Sequence, residues 1–151
     1  MVGMSPVSSG INISVRQATP ADLAFTQQDG YLPPESVLRK IEAHEVLIAE
    51  VRGQPAGYLR LEYLWSIEPY IALIRVSPEH RRQGVGRALL AHLEAHLRAQ
   101  GHLALSSSSQ ADEPEPQAWH RHMGFEECGL IAGLNDNGVG EIFFRKRLRP
   151  P

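Results

Sequence analysis

Eight consecutive residues, Arg81-Arg82-Gln83-Gly84-Val85-Gly86-Arg87-Ala88, carry the densest chemical information in the chain. Gly84 and Gly86 lack a Cβ, so the backbone there can take unusual φ and approach a ligand closely. An apolar run, Ile71 to Val76, precedes the turn, and an apolar-periodic segment from Leu89 to Leu97 follows it. The order predicts a strand, a glycine-rich turn and a helix. The first N–H groups of a helix have no intrahelical partner, and the helix dipole adds positive potential there. A phosphate or pyrophosphate is the natural guest, with Arg81, Arg82 and Arg87 adding charge. A Gly-x-Gly taken alone reads first as a glycine-capped strand-to-helix turn that binds nothing. Three further groups could do chemistry. His120 lies in Trp119-His120-Arg121-His122-Met123, Glu62 and Glu68 are acidic residues in or beside strand-like runs, and Ser106 to Ser109 are four consecutive hydroxyls.

The details of the turn exclude two common anion sites. A P-loop places Lys and then Ser or Thr after its last glycine, whereas Arg87 and Ala88 follow Gly86. A dinucleotide fingerprint needs a third glycine or an alanine where Leu89 stands, and an acidic strand end further on. The pattern that fits is Arg81-x-x-Gly84-x-Gly86, with Val76-Ser77-Pro78 before it and Leu89-Leu90 after it. This resembles the acetyl-CoA-binding motif of the GNAT N-acetyltransferase family. The resemblance runs from about Ile11 to Leu148 and is strongest from Ile71 to Phe125.

The resemblance implies acetyl-CoA as co-substrate and no metal. It implies cofactor contacts from Arg81, Arg82, Gln83, Gly84, Val85, Gly86, Arg87 and Ala88 to the pyrophosphate. The backbone of Ile74 and Val76 would bond the pantetheine arm, and Ser107 would also touch CoA. The arm would enter a gap between two splayed parallel strands, Ala72 to Val76 and Leu103 to Ser107. The implied reaction is direct attack by a primary amine on the thioester in a ternary complex. In that family a tyrosine often stands four residues before the glycine of a Gly-Phe pair. Here the pair is Gly124-Phe125 and the position holds His120. His120 is therefore the candidate donor to the leaving thiolate, against a role in packing or capping. Glu68 and Glu62 are the candidates for taking the amine proton, Glu68 because a break before Pro69 could aim it inward. Tyr31, Trp65 and Tyr70 could wall the acceptor cleft or belong to the core.

Around these residues the sequence predicts a complete set of elements. Ile11 to Val15 is a strand, Pro20 to about Gln28 a helix capped by Thr19, and Pro34 to Ala43 a second helix. Strands follow over Val46 to Val51, Ala56 to Trp65 and Tyr70 to Val76. The main helix runs from Val85 to Gln100, with Val85, Leu89, Leu93 and Leu97 on one stripe and Gly101 as its stop. Leu103 to Leu105 is a short strand and Ser106 to Gln117 a polar loop. A short helix covers Pro116 to Met123, and Phe125 to Leu130 and Glu141 to Arg147 form a hairpin. The fold class is α/β with a mixed sheet, mostly antiparallel in its N-terminal part, with a parallel splayed pair at its centre.

The totals set the bounds. A chain of 151 residues suits one domain, residues 11–151, behind a disordered lead-in over residues 1–10. A net charge of -2 points to no nucleic-acid and no membrane partner. The resemblance implies a small-molecule or peptide amine as acceptor, and homodimerisation is compatible with the sequence. The lone Cys128 favours a reducing, cytoplasmic setting and reads as a packed thiol. Nothing approaches the roughly 18 apolar residues of a spanning helix. His92 and His96 share a helix face but lack the Glu of a zinc-protease signature, so they read as solvated. The cluster Arg145-Lys146-Arg147 reads the same way. A non-catalytic acyl-CoA-binding module on the same fold is the rival to an enzyme, and a nucleotide-binding module is the third reading.

Overall fold

A computed structural model describes residues 11–150; the expected lead-in over residues 1–10 lies outside that range. Seven strands form one sheet in the order β1-β2-β3-β4-β5-β7-β6. They are β1 Ile13–Gln17, β2 Val46–Val51, β3 Gln54–Leu64, β4 Glu68–Val76, β5 Ala104–Gln110, β6 Glu126–Ile131 and β7 Glu141–Arg147. All neighbours are antiparallel except β4 and β5. The helices are α1 Leu23–Thr26, α2 Pro34–Glu42, α3 Val85–Ala99 and α4 Pro114–His122. The expected mixed α/β sheet with one parallel pair at its centre is the fold observed.

The helix α3 forms where the apolar stripe predicts it. Val85, Leu89, Leu93 and Leu97 are all buried, with Leu90 beside them. They pack on Leu59, Leu61, Ile71, Leu105 and Phe144 of the sheet. Burial at about 2 kcal/mol for each large side chain makes this the main layer contact. Gly101 ends the helix at φ 88. The His102 N–H closes onto Leu97 O at 3.0 Å and the Gly101 N–H onto Arg98 O at 2.9 Å, a left-handed stop. Gly57 on β3 lets the layers meet, since a Cβ there would lie 2.8 Å from Arg75 O and 3.0 Å from a Val85 methyl.

Successive strand residues face opposite sides. Leu59 and Leu61 face α3, whereas Tyr58 and Arg60 face the side of α1 and α2. A second cluster of Ala18, Val37, Ile41 and Val46 holds α2 on that side. Arg60 and Asp29 form a buried pair there, at 2.6 and 2.7 Å, and the Tyr58 hydroxyl donates to Asp29 at 2.7 Å. This ties the loop after α1 to the sheet.

Several expectations need correction. The first helix is a 3₁₀ turn, Pro20–Asp22, and then one α turn ending at Thr26. Its capping box is present at Thr19 and Asp22, but Asp22 also bonds Arg16, which binds the turn to β1 instead of extending it. Ser106 to Ser109 are not a loop: β5 pairs with β7 continuously from Ala104↔Arg147 to Gln110↔Glu141. A sheet-interior ladder outweighs the weak strand preference of serine. The helix α4 then starts at Pro114. Cys128 is exposed, because β6 is an outer strand with all six of its residues exposed. Arg145 and Lys146 are not simply solvated either: Arg145 meets Glu68 at 3.0 Å and Lys146 meets Glu94 of α3 at 2.9 Å. The alternation of β7 sends these two neighbours to opposite faces.

Candidate active site

The glycine turn leaves β4 through a 3₁₀ turn, Pro78–His80, and enters α3 at Gly84. Gly84 has φ 88, in the left-handed region, and so does Arg82 at φ 60. Gly86 differs. Its backbone is helical, and a Cβ there would lie 3.5 Å from the Trp119 ring, an ordinary van der Waals contact, so α4 packs beside this position without requiring a glycine. The first N–H to close a helical bond is that of Ala88, onto Gly84 O at 2.9 Å. The N–H groups of Val85, Gly86 and Arg87 therefore open outward at the positive end of a 15-residue helix. The side chains of Arg81, Arg82 and Arg87 are exposed around them. This cradle suits a pyrophosphate.

Beside it the sheet parts. β4 and β5 are paired only at Tyr70↔Ser106 and Ile71↔Ser107. From Leu73 to Val76 β4 pairs with β3 alone, so its backbone groups on the other side face a gap. Ile74 and Val76 lie on this stretch. Ala72 is itself an extra residue: Arg60 pairs with Leu73 and Leu61 with Ile71. Such a bulge bends the strand and increases its local twist. The splay expected between Ala72–Val76 and Leu103–Ser107 is displaced by this register. Ser106 and Ser107 are still paired, so the gap opens opposite Ser108 to Gln110. The break expected beside Glu68 is the β3–β4 turn, Glu68 is the first residue of β4, and the strand's bulge lies further on at Ala72.

Ser107, at the apex of the gap, meets His120. The Ser107 Oγ and His120 Nε2 are 2.7 Å apart, and His120 Nδ1 is 2.8 Å from Pro116 O. A carbonyl only accepts, so Nδ1 carries the proton and Nε2 accepts from the serine hydroxyl. His120 is 3% exposed. Its ring stacks on Phe144 at 4.7 Å and meets Phe125 and Trp119 edge-on. Burial pushes its pKa below the usual value, against the Pro116 bond that raises it. The imidazole is neutral at pH 7.

The other face of the apex carries a second chain of hydrogen bonds. Tyr70 Oη and Ser108 Oγ are 2.5 Å apart, and the Ser108 hydroxyl donates to Glu141 Oε2 at 2.7 Å. Asn135 Nδ2 donates to Glu141 Oε1 at 3.2 Å. Burial raises the Tyr70 pKa, as do the charges of Glu141 and Glu62, while its bond to Ser108 opposes them. Glu62 lies 3.4 Å from Lys40 and Glu68 3.0 Å from Arg145, so both are ion-paired. The sequence alone pointed to the run Ser106 to Ser109 without distinguishing Ser108, and it did not bring out Glu141. Their signal was the alternation along β5, hidden while the serines read as a loop.

The expected aromatic walls divide. Tyr70 belongs to this network, Trp65 is 86% exposed at the β3–β4 tip, and Tyr31 is exposed in the α1–α2 loop. His92 and His96 are exposed on α3. Among the described residues, no helix is long and apolar enough to cross a membrane.

Comparison with known proteins fits this geometry. The model of the Acetyltransferase (GNAT) family matches residues 14–125. The Aminoglycoside N(6')-acetyltransferase type 1 of Stenotrophomonas maltophilia is 30% identical over 91% of this chain and 95% of its own length. The Streptothricin acetyltransferase of Streptomyces lavendulae is 36% identical over 59% of this chain and 48% of its own. The structure of yncA from Salmonella typhimurium, solved with its cofactor acetyl-CoA, superposes with a TM-score of 0.77. It is 20% identical and covers 91% of this chain and 94% of its own.

Proposed function

The chain belongs to the acetyltransferase (GNAT) family, and from that premise we propose that it transfers the acetyl group of acetyl-CoA to a primary amine of a small molecule, by direct attack in a ternary complex. Residues 11–151 form one catalytic domain in this reading, and the enzyme works in the cytoplasm, where its exposed Cys128 stays reduced. Its acceptor is an amine-bearing compound of the aminoglycoside or streptothricin kind, the chemistry named for two relatives. A peptide amine is the other acceptor class to be tried.

The observation that carries this reading is the parting of β4 and β5 directly beside the free N–H groups of α3. The pyrophosphate would lie on Gln83 to Ala88, with Arg81, Arg82 and Arg87 neutralising its charge. The amide-rich arm would extend along Ala72 to Val76, pairing with the backbone at Ile74 and Val76 as an added strand. The thioester would then reach the apex at Ile71 and Ser107. Backbone donors aimed at the carbonyl oxygen there contribute about 3 kcal/mol each as charge develops.

At the apex, Ser107 and His120 serve the leaving sulfur. The buried imidazole holds the serine hydroxyl, which is the group close to the gap; that hydroxyl would take the proton of the acylated nitrogen as it passes its own to the thiolate, with His120 neutral throughout. Such assistance is worth roughly 10²-fold, since a thiol of pKa about 8.5 is a tolerable leaving group unaided. Glu62 and Glu68, neutralised by Lys40 and Arg145, shape the charge of the acceptor side.

The test is calorimetry with CoA, followed by thiol release from acetyl-CoA with an aminoglycoside, a streptothricin, a polyamine and a peptide. Binding with amine-dependent release supports the enzyme. Binding without release for any amine supports a non-catalytic acyl-CoA module, a reading that the buried histidine in place of a tyrosine keeps in view. No CoA binding would remove both.

A further inference from the structure

Three carboxylates stand on the acceptor face near the gap, and their partners differ in kind. Glu62 has Lys40 at 3.4 Å and Glu68 has Arg145 at 3.0 Å. Glu141 accepts only from neutral donors, Ser108 at 2.7 Å and Asn135 at 3.2 Å. Among the described residues it has no cation within ion-pair distance. Its two bonds fix the carboxylate, and each oxygen keeps a lone pair for another donor. Ser108 is the first residue of β5 beyond the last β4 pair, so Glu141 stands one hydroxyl from the mouth of the gap. A fixed, partly buried anion with no countercharge attracts a cation strongly.

Resting on the acetyltransferase reading, we infer that Glu141, fixed by Ser108 and Asn135, receives the ammonium group of the acceptor and takes its proton. An aliphatic amine arrives as R–NH3+ at pH 7. One N–H bond passes its proton to a Glu141 oxygen, leaving R–NH2 and a neutral carboxylic acid. The amine lone pair forms the C–N bond, the C–S bond breaks, and sulfur leaves with the electron pair. The nitrogen's next proton goes to the sulfur, giving amide and CoA thiol, and Glu141 returns its proton to water. The substrate class is an amine that is cationic when free.

The groups that sense Glu141 are few. Tyr70 on β4 reaches it through Ser108 and is held protonated by burial, and Glu62 on β3 adds negative charge near Tyr70. His120 on α4 feels it across the sheet and is neutral. Arg145, two residues beyond Phe143 on β7, is engaged by Glu68. Glu62 and Glu68 are the rival carboxylates, each with a cation beside it, and the experiment separates them from Glu141.

The experiment measures kcat/KM for an aminoglycoside from pH 6.5 to 9.5 in wild type, Glu141→Gln, Glu141→Asp, Glu62→Gln and Glu68→Gln, with CoA affinity by calorimetry as the folding control. At pH 7 Glu141→Gln should fall on the order of 10²-fold with CoA affinity intact. The deficit should shrink as pH nears the pKa of the amine, because solvent then supplies R–NH2. Glu141→Asp, which keeps the charge, should recover part of the rate even if the Gln variant proves unstable. A wild-type rate in Glu141→Gln, a deficit that does not change with pH, no difference between the Asp and Gln variants, or a larger loss in Glu62→Gln or Glu68→Gln overturns the inference while leaving the acetyltransferase reading intact. Absence of transfer to every amine by the wild type overturns both.

Discussion

The His120 imidazole spends both nitrogens inside the protein, so its influence on the reaction runs through the Ser107 hydroxyl. Ser107→Ala and His120→Ala should therefore lower kcat to a similar extent, on the order of 10²-fold each, and the double variant should lose little more. CoA affinity should stay near the wild-type value in all three. If thermal stability falls while turnover per folded molecule is unchanged, the pair serves packing alone. A stability effect is expected in any case, because His120 is buried neutral. Its folded pKa lies below that of the unfolded chain, so protonation favours unfolding. Its contribution is complete above about pH 6.5 and declines as pH falls below that. A urea titration at pH 5 and pH 8 would show that slope flattened in His120→Ala.

Two elements position the chemistry, and each rests on a distinct constraint. The turn into α3 needs Gly84 at φ 88, where a side chain is strained whatever the space around it. Gly84→Val should weaken CoA binding at least tenfold by calorimetry and also destabilise the turn, at roughly 1–2 kcal/mol. Gly86 has helical φ and only Trp119 near its missing Cβ. Gly86→Ala should therefore fold normally, and a loss of CoA affinity in that variant reports on the ligand side. The loop after α1 is held differently, by Asp29 against Arg60, with side chains 2% and 3% exposed. Burial raises the Asp29 pKa, but the bonds from Arg60 and Tyr58 outweigh it and hold it at about 2. This stabilisation is fully present above about pH 4, the unfolded carboxylate range, and is lost as pH falls through about 2. Asp29→Asn leaves a buried guanidinium without its countercharge, so about 3 kcal/mol should be lost at pH 7. That loss should vanish toward pH 2, which denaturation curves at both pH values would check.

For the whole molecule, the gap at the sheet centre is a structural cost that a ligand can offset. β4 and β5 give up their pairing beyond Ile71 and Ser107, leaving backbone groups that an extended amide chain could satisfy. Acetyl-CoA should stabilise the folded state by about 2.7 kcal/mol at a hundred times its Kd. For a chain of this size that is a rise of roughly 5–10 °C in Tm. Gly84→Val should show about half that rise or less at the same ligand concentration. An unchanged Tm in the wild type at saturating ligand would contradict the binding reading.

Local residue chemistry made much of this legible in the chain itself. The glycine spacing, the arginines and the apolar stripe of α3 are short-range features, and a helix start with free N–H groups follows from them without knowledge of the rest. The β2–β3–β4 meander was equally plain, because antiparallel neighbours joined by tight turns leave their mark in alternation and turn residues. The serines of β5 were misread because their strand character comes from β7, paired with them from more than thirty residues away. The Ala72 bulge was invisible for a similar reason, since it is a mismatch between the registers of two strands and not a property of either. That bulge and the β4–β5 register decided where the gap opens, and the alternation of β5 then sent Ser107 to His120 and Ser108 to Glu141. Which carboxylate keeps its charge unpaired was likewise a tertiary outcome. Glu62, Glu68 and Glu141 are chemically alike in the sequence, and only the positions of Lys40 and Arg145 distinguish them.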